Sequence, residues 1–212
     1  MVVLHHTAMA SCEAALSRLC DPITEVSAHY LISETGVIFH LVHEEMRAWH
    51  AGTGCWGEMQ DVNSHSVGIE LANGGPQTGF SPFPEPQMAA LEHLLTAILA
   101  RWTIPRERVI AHSDMAPLRK FDPGAKFDWR RLARQNLSVW PKVDEGQEPN
   151  FGAFRADCTA FGYPCDVGDA QLLAAFRLRF RANVKGLLDQ TDMAMAHDLG
   201  RRFPVDALIL TT

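Results

Sequence analysis

Histidine and aspartate residues stand at or after the ends of predicted strands, and these residue types can hold a metal ion. His5 follows the apolar run at residues 2–4, and His112 follows a second apolar run at residues 109–111. Asp122 lies ten residues after His112 in a loop-like stretch. A catalytic zinc site usually has three such protein ligands and leaves its fourth position to water. His5, His112 and Asp122 are therefore candidate ligands of a catalytic metal.

Each candidate ligand also has an ordinary structural explanation. His5 and His112 could be core histidines with satisfied hydrogen bonds, and Asp122 could open the turn that Asp-Pro-Gly sequences favour.

Glu70 lies inside the apolar run at residues 67–71, where a buried charge is costly unless it has a partner or a task. Beside a metal, Glu70 would be well placed to accept a proton from water. A purely structural carboxylate is the alternative.

The remaining histidines fit a metal site less well. The sequence lacks the HExxH pattern of many zinc proteases. His40 and His43 are three residues apart on a predicted strand and therefore point to opposite faces. His6 is adjacent to His5, so the two side chains cannot both face one site from an extended strand. We expect hydrogen-bonding or supporting roles for His29, His40, His43 and His65.

The composition excludes several classes of protein. The chain has 212 residues, of which 47% are hydrophobic and 21% charged, as in globular proteins of one or two domains. The formal net charge of −6 and the lack of a basic run argue against nucleic-acid binding. No apolar stretch approaches the ~18 to 20 residues that span a bilayer, and no signal peptide is evident. We expect a cytoplasmic monomer, or a periplasmic or envelope protein if an N-terminal segment is missing.

The cysteines do not define a framework. The chain has five, an odd number without a CxxC pair, which indicates neither a zinc ribbon nor a complete set of disulfides. Cys158 and Cys165 could form a bridge in an oxidising compartment. Small buried thiols are the alternative for both.

Hydrophobic periodicity predicts an α/β or mixed α+β layer fold with a central sheet flanked by helices, and a small C-terminal all-α domain. Short strands are expected at residues 2–4, 67–71 and 109–111, with a hairpin at residues 29–33 and 37–42. One helix should follow the N-cap Ser11, and a longer one should run from Glu85 to Trp102. The predicted units are a catalytic domain at residues 1–140, a polar linker at 141–150 and a helical domain at 151–212.

Five short blocks of the sequence occur in a characteristic order. They are His5-His6-Thr7, residues 27–32 (SAHYLI), residues 48–52 (AWHAG), residues 63–70 (NSHSVGIE) and residues 112–124 (HSDMAPLRKFDPG). Over roughly residues 1–140 the chain thereby resembles the type 2 N-acetylmuramoyl-L-alanine amidases. This family includes T7-type phage lysozyme, AmpD-like and AmiD-like enzymes, and the peptidoglycan recognition proteins.

The resemblance implies a zinc-dependent hydrolase that cleaves the amide bond between N-acetylmuramic acid and L-alanine in bacterial peptidoglycan or its muropeptide fragments. It implies zinc ligands at His5, His112 and Asp122. It also implies that Glu70 activates the attacking water and that Lys120 stabilises the oxyanion that develops on the carbonyl. Substrate contacts are expected at two further positions, His50 and Asn73.

The C-terminal residues resemble, more loosely, a small three-helix peptidoglycan-binding domain. The similarity lies in residues 161–163, 174–180 and 186–191, and the order of amidase and tail is similar to that of AmiD-like enzymes. A wall-binding tail favours polymeric peptidoglycan, whereas the lack of a signal peptide favours recycling of soluble muropeptides. If the tail only targets the enzyme, a chain ending near Pro149 should keep its activity on small muropeptides.

Two other functions remain open at the level of sequence. One is a peptidoglycan recognition protein of the same fold that binds without cleaving. The other is a zinc hydrolase that acts on a different amide, because ligands define a reaction type better than a substrate. The third ligand at Asp122, together with Glu70 and Lys120, favours catalysis.

Overall fold

The computed structural model describes residues 1–117, 119–143 and 147–206. Leu118 in the last amidase-like block, residues 144–146 of the predicted linker and residues 207–212 of the predicted C-terminal domain lie outside the described residues. The strands are β1 (Val2–His6), β2 (Tyr30–Ile32), β3 (Ile38–His40), β4 (Val67–Leu71) and β5 (Val109–Ala111). The α-helices are α1 (Cys12–Cys20), α2 (Glu85–Trp102), α3 (His112–Met115), α4 (Trp129–Arg134), α5 (Phe151–Phe161), α6 (Asp169–Phe180) and α7 (Gln190–Arg202).

The five strands form one mixed sheet in the order β3-β2-β4-β1-β5. The pairs β2–β4, β4–β1 and β1–β5 are parallel, and the β2–β3 hairpin is antiparallel. Because parallel strands end at the same edge of a sheet, His5 on β1, Glu70 on β4 and the residue after β5 come close together. The predicted fold class, a mixed sheet flanked by helices with a helical C-terminal part, is confirmed.

Helix α2 covers one face of the sheet. It runs from Glu85 to Trp102 as predicted, and Leu91, Leu95 and Ile98 pack in one cluster with Leu4 and Ile69 of the central strands. Every one of these side chains is fully buried. This burial, at about 1.5–3 kcal/mol for each large apolar side chain, fixes the sheet that carries the polar residues.

The opposite face of the sheet is covered by the C-terminal helices. Side chains alternate along a strand, so Val3 and Ile110 point away from α2. Both join a second cluster whose largest members come from α5, α6 and the loop around Trp56. Trp56 is completely buried there, which gives it a packing role instead of the sugar contact that an exposed indole could make.

The predicted linker therefore does not separate two independent cores. Its described residues, 141–143 and 147–150, contain no helix or strand, and α5 begins directly after them. Beyond them, however, Phe154, Phe161 and Phe176 share one hydrophobic cluster with Val3 and Ile110 of the sheet. The division into domains at these boundaries stays a prediction.

Gly162 marks a close approach between the two parts. It follows α5 with φ +131°, and a Cβ atom there would lie 2.4 Å from the Trp56 indole. Gly186 also has a positive φ, +98°, but a Cβ there meets nothing within 4 Å. We expect Gly162→Ala to lower the free energy of unfolding by about 1–3 kcal/mol more than Gly186→Ala does, because only the first overpacks the core. Urea denaturation of the two variants measures the difference; equal losses would contradict the described contact.

Two expectations about the whole chain can be checked directly. Among the described residues, no helix is both long and apolar enough to cross a bilayer.

Cys158 is a buried free thiol in α5, and Cys165 is an exposed free thiol. The alternative of small buried thiols therefore holds for Cys158 and not for Cys165.

Candidate metal centre

The three predicted ligands converge at the edge where β1 and β5 end. His5 lies on β1, His112 is the first residue of α3 directly after β5, and Asp122 lies in the loop that follows. The Nδ1 atoms of His5 and His112 are 2.9 Å apart, and Asp122 Oδ2 lies 3.0 Å from each. All three residues are buried. Within the described residues they form a group that could bind a metal ion.

A hydrogen bond to the backbone fixes which ring nitrogen of His112 carries the proton. His112 Nε2 lies 2.8 Å from the carbonyl oxygen of Ala51. A carbonyl oxygen only accepts, so Nε2 carries the proton and Nδ1 keeps its lone pair. A metal-binding histidine is generally held in this way by a hydrogen bond from its other ring nitrogen.

His5 is fixed by a relay of three hydrogen bonds. The Ser66 hydroxyl donates to the Val62 carbonyl at 2.5 Å, so its oxygen is free to accept from His50 Nε2 at 3.3 Å. His50 Nδ1 is then an acceptor, and His5 Nε2 donates to it at 3.0 Å. The relay leaves the lone pair on His5 Nδ1, the atom that faces His112 and Asp122. Both histidines therefore present unprotonated Nδ1 atoms, which suits a bound cation.

Burial keeps the imidazoles of His5 and His50 neutral. Burial, with a smaller contribution from nearby His112, lowers the pKa of His5 to about 4. Burial likewise holds the pKa of His50 well below its usual value. For Asp122 burial acts to raise the pKa, but the contacts with His112 and His5 outweigh it and keep the pKa below its ordinary range. His5 is thus a neutral imidazole and Asp122 a carboxylate at neutral pH, the forms that metal binding requires.

Glu70 lies opposite His5 in the register of β4 and β1. Its Oε2 atom is hidden from solvent and has no hydrogen-bond partner among the described residues. Burial raises the pKa of Glu70 to about 8, Asp122 adds to the shift, and Lys120 opposes it. A buried acceptor without a partner is rare in folded proteins. Its position beside the convergent ligands indicates that a water or ion belongs there.

Lys120 is an exposed cation at the mouth of the same cleft. The cleft has a volume of about 300 Å³. Its polar lining includes His5, His6, His50, Glu70, His112, Arg119, Lys120 and Asp122. The lining also includes Trp49, which is 54% exposed and has the guanidinium of Arg47 stacked 4.2 Å from its ring centroid. An exposed indole of this kind could stack on a sugar ring, which the buried Trp56 cannot do.

The two predicted substrate contacts, His50 and Asn73, differ in their position relative to the cleft. His50 lines the cleft, but both of its ring nitrogens are engaged in the relay to His5. Asn73 does not line the cleft; its amide donates to Ser81 O at 3.0 Å and accepts from Gly75 N at 2.9 Å. The structure thus gives Asn73 a role in shaping its loop. Direct contact of either residue with substrate stays a prediction.

The neighbouring histidines have separate explanations. His29 accepts from the backbone of Gly68 at 2.9 Å and lies 3.0 Å from the carbonyl of Met46, which is the supporting role expected of it. His6 lies in the cleft between the rings of Phe80 and Phe121. Neither ring nitrogen of His6 has a partner in the described part of the chain.

The raised pKa of Glu70 predicts a pH-dependent stability of the metal-free protein. With a folded-state pKa of about 8 against an ordinary 4.5, the folded state keeps a proton that the unfolded state has released. This contribution is complete below pH 4.5 and is lost as the pH rises towards 8, by at most about 1.4 kcal/mol per pH unit. Glu70→Gln lacks this contribution to stability. The lowered pKa values of His5 and His50 make stability change with pH in the opposite sense, but they do so in both proteins. We expect chelator-treated wild type to lose stability relative to Glu70→Gln from pH 5 to 8, and parallel curves would contradict the burial of Glu70.

Comparison with known proteins shows which proteins this chain resembles. Residues 1–125 match the family model described as N-acetylmuramoyl-L-alanine amidase. The chain is 39% identical to N-acetylmuramoyl-L-alanine amidase AmiD of Escherichia coli, over 97% of this chain and 84% of AmiD. It is 38% identical to 1,6-anhydro-N-acetylmuramyl-L-alanine amidase AmpD of Haemophilus influenzae, over 50% of this chain and 56% of AmpD.

Solved structures extend the similarity to the C-terminal helices. A complex of E. coli AmiD with the substrate anhydro-N-acetylmuramic acid-L-Ala-D-gamma-Glu-L-Lys superposes with a TM-score of 0.88 at 32% identity, covering 97% of this chain and 90% of AmiD. AmpDH3 of Pseudomonas aeruginosa superposes with a TM-score of 0.86 at 32% identity, covering 96% of this chain and 92% of AmpDH3. AmpDH3 has also been solved with an anhydromuramic pentapeptide.

Proposed function

The chain belongs to the N-acetylmuramoyl-L-alanine amidase family, and we propose that it hydrolyses the amide between N-acetylmuramic acid and L-alanine with a zinc ion held by His5, His112 and Asp122. The observation that carries this proposal is the convergence of their three ligand atoms beside Glu70, whose Oε2 atom is hidden from solvent and has no hydrogen-bond partner in the described part of the chain. Two imidazoles and one carboxylate form a ligand set typical of catalytic zinc.

The bound ion supplies Lewis acidity, which polarises the scissile carbonyl and acidifies water. The relay through His50 and Ser66 and the hydrogen bond to Ala51 keep both Nδ1 atoms turned towards Asp122 Oδ2, where the three atoms would hold the ion. Because these bonds are made by the folded chain itself, the site needs little rearrangement on metal binding.

Glu70 is proposed to take the proton of the attacking water. Its free Oε2 atom lies at the same sheet edge as the ligands, and a cation at that edge lowers its pKa in the same direction as Lys120. The water oxygen then bonds to the lactyl carbonyl carbon, the carbon–nitrogen bond breaks, and the proton passes from Glu70 to the L-alanine nitrogen. The products are a lactyl carboxylate and a stem peptide with a free α-amine.

Lys120 is proposed to stabilise the negative charge on the carbonyl oxygen during attack. Its ammonium lies at the cleft and acts electrostatically on both His5 and Glu70. A preorganised cation aimed at a developing oxyanion lowers the barrier without affecting ground-state binding to the same extent.

Soluble muropeptides are the proposed substrates. This follows from the relatives solved with anhydromuropeptides, which AmiD and AmpDH3 bind. A cleft of about 300 Å³ accommodates only the part of the substrate around the scissile bond, so the rest of the sugar and stem must lie along the open surface that includes Trp49. We also propose that helices α5, α6 and α7, after a linker at residues 141–150, form a small helical domain whose hydrophobic core is shared with the sheet.

Incubation of the purified protein with muropeptides, with and without a chelator, tests the proposal. Release of a stem peptide that begins with L-alanine, stopped by chelation and restored by zinc, is the expected result. A protein that binds zinc and muropeptides without cleaving them would instead be a peptidoglycan recognition protein of the same fold. Cleavage at another amide would transfer the same chemistry to a different substrate.

A further inference from the structure

A buried carboxylate lies on the short helix that carries His112. Asp114 is fully buried, two residues after His112, and its Oδ2 atom accepts from the backbone nitrogen of Ala111 at 2.8 Å. This bond closes the first turn of α3 around His112. The other carboxylate oxygen accepts from the hydroxyl of Tyr163 at 2.8 Å. The orientation of His112 therefore depends on what holds Asp114.

Arg179, on α6, is the charged partner of Asp114. Its Nη1 donates to Asp114 Oδ2 at 2.5 Å, and both side chains are completely buried. Its Nη2 donates to the Val109 carbonyl at 3.1 Å and to the Ser138 hydroxyl at 3.1 Å. One guanidinium thus binds β5 before His112 and α3 after it. The planar fork of arginine suits this double attachment, which lysine cannot reproduce.

We propose that Arg179 and Tyr163 are positioning residues of the metal centre. From the C-terminal helical part of the chain they hold Asp114, and through it the first turn of α3, so that His112 Nδ1 stays aligned with His5 and Asp122. The C-terminal helices then complete the catalytic unit in addition to any binding of the cell wall. This inference rests on the proposed metal site and names residues outside it on which the site depends.

A second buried ion pair, between Arg177 of α6 and Asp192 of α7, provides a matched control. Arg177 is as deeply buried as Arg179, with 5% and 3% of the residue exposed. It binds Asp192 of α7 and the carbonyls of Gly186 and Leu187. These contacts lie within the C-terminal part of the chain. Loss of Arg177 therefore removes a comparable ion pair without disturbing α3.

The experiment compares Arg179→Met with Arg177→Met in the full-length chain. Zinc affinity is measured by competition with a chromophoric chelator in the absence of substrate, and kcat and KM are measured on a muropeptide. We expect Arg179→Met to weaken zinc binding by about 10–100-fold and to lower kcat more than it raises KM, because misplaced ligands cost affinity and turnover on this scale. Arg177→Met should lose thermal stability but keep its zinc affinity and kcat.

Two further variants keep the test decisive. Tyr163→Phe keeps the ring and removes one hydrogen bond to Asp114, so it should shift zinc affinity in the same direction by a smaller factor even if Arg179→Met does not fold. Arg179→Lys should recover part of the affinity, since it retains the charge. Equal zinc affinities of wild type, Tyr163→Phe and every folded Arg179 variant would overturn the inference. Failure of the wild type itself to bind zinc would instead overturn the proposed metal site.

Discussion

Replacing Glu70 by glutamine should abolish most of the amidase activity while leaving zinc bound. The substitution keeps the size of the side chain but removes the base, and general-base catalysis contributes about 10²–10⁴-fold to rate. Glu70 does not belong to the three-residue ligand group, so zinc affinity should stay close to that of the wild type. The measurements are kcat on a muropeptide and zinc content after dialysis. A variant with at least a tenth of the wild-type kcat would show that another group takes the proton.

His112→Ala provides the opposite pattern and serves as the control for Glu70→Gln. Mutating residues that support a metal ligand costs about 10–100-fold in metal affinity. His112→Ala removes one of the three ligand atoms themselves, so its zinc affinity should fall by a larger factor. Activity should be lost in parallel and should return in part at high zinc concentration. Full retention of zinc by His112→Ala would remove this residue from the ligand set.

A chain ending at Pro149 should lose its fold and its activity on every substrate, small muropeptides included. The truncation removes α5, α6 and α7 and exposes Val3 and Ile110 on the second face of the sheet. It also removes Arg179 and Tyr163, the two side chains that hold the Asp114 carboxylate and with it the first turn of α3. Circular dichroism, thermal melting and muropeptide cleavage measure the effect.

A chain ending at Asp206 is the control for this truncation, because it keeps all the contacts described above. Full activity of the shorter chain on small muropeptides, with loss on intact sacculi alone, would show that the helices are a separable targeting module. The sequence alone predicts that this truncation keeps its activity on small muropeptides, and the shared hydrophobic cluster leads us to expect the opposite.

The convergence of His5 and His112 could be predicted from sequence because both residues lie at strand ends. His5 and His112 each follow an apolar run, and parallel strands bring such ends to one edge of a sheet. Glu70 was noticeable for the same reason, as a charge within a buried strand. Helix α2 was predicted to the residue, since its apolar stripe and the flanking prolines define both ends.

Other parts of the site depend on contacts between distant residues and could not be predicted in this way. Arg179 and Asp114 are 65 positions apart, and an arginine in an amphipathic helix usually indicates a solvated face. The sequence predicts a substrate contact at His50, but the role of His50 in orienting His5 through the Ser66 relay becomes visible only in three dimensions. The domain boundary was placed from a change in composition, which does not reveal whether a core continues across it.

Digestion of a muropeptide in water enriched in ¹⁸O tests the central claim most directly. Hydrolysis of the amide between N-acetylmuramic acid and L-alanine places one ¹⁸O atom in the lactyl carboxylate of the sugar product and none in the stem peptide. We expect mass spectrometry to show this label only on the sugar, and only in samples from which zinc has not been chelated. Label in a carboxylate of the peptide, or unchanged labelling after zinc removal, would contradict the assignment of this chain as a zinc-dependent N-acetylmuramoyl-L-alanine amidase.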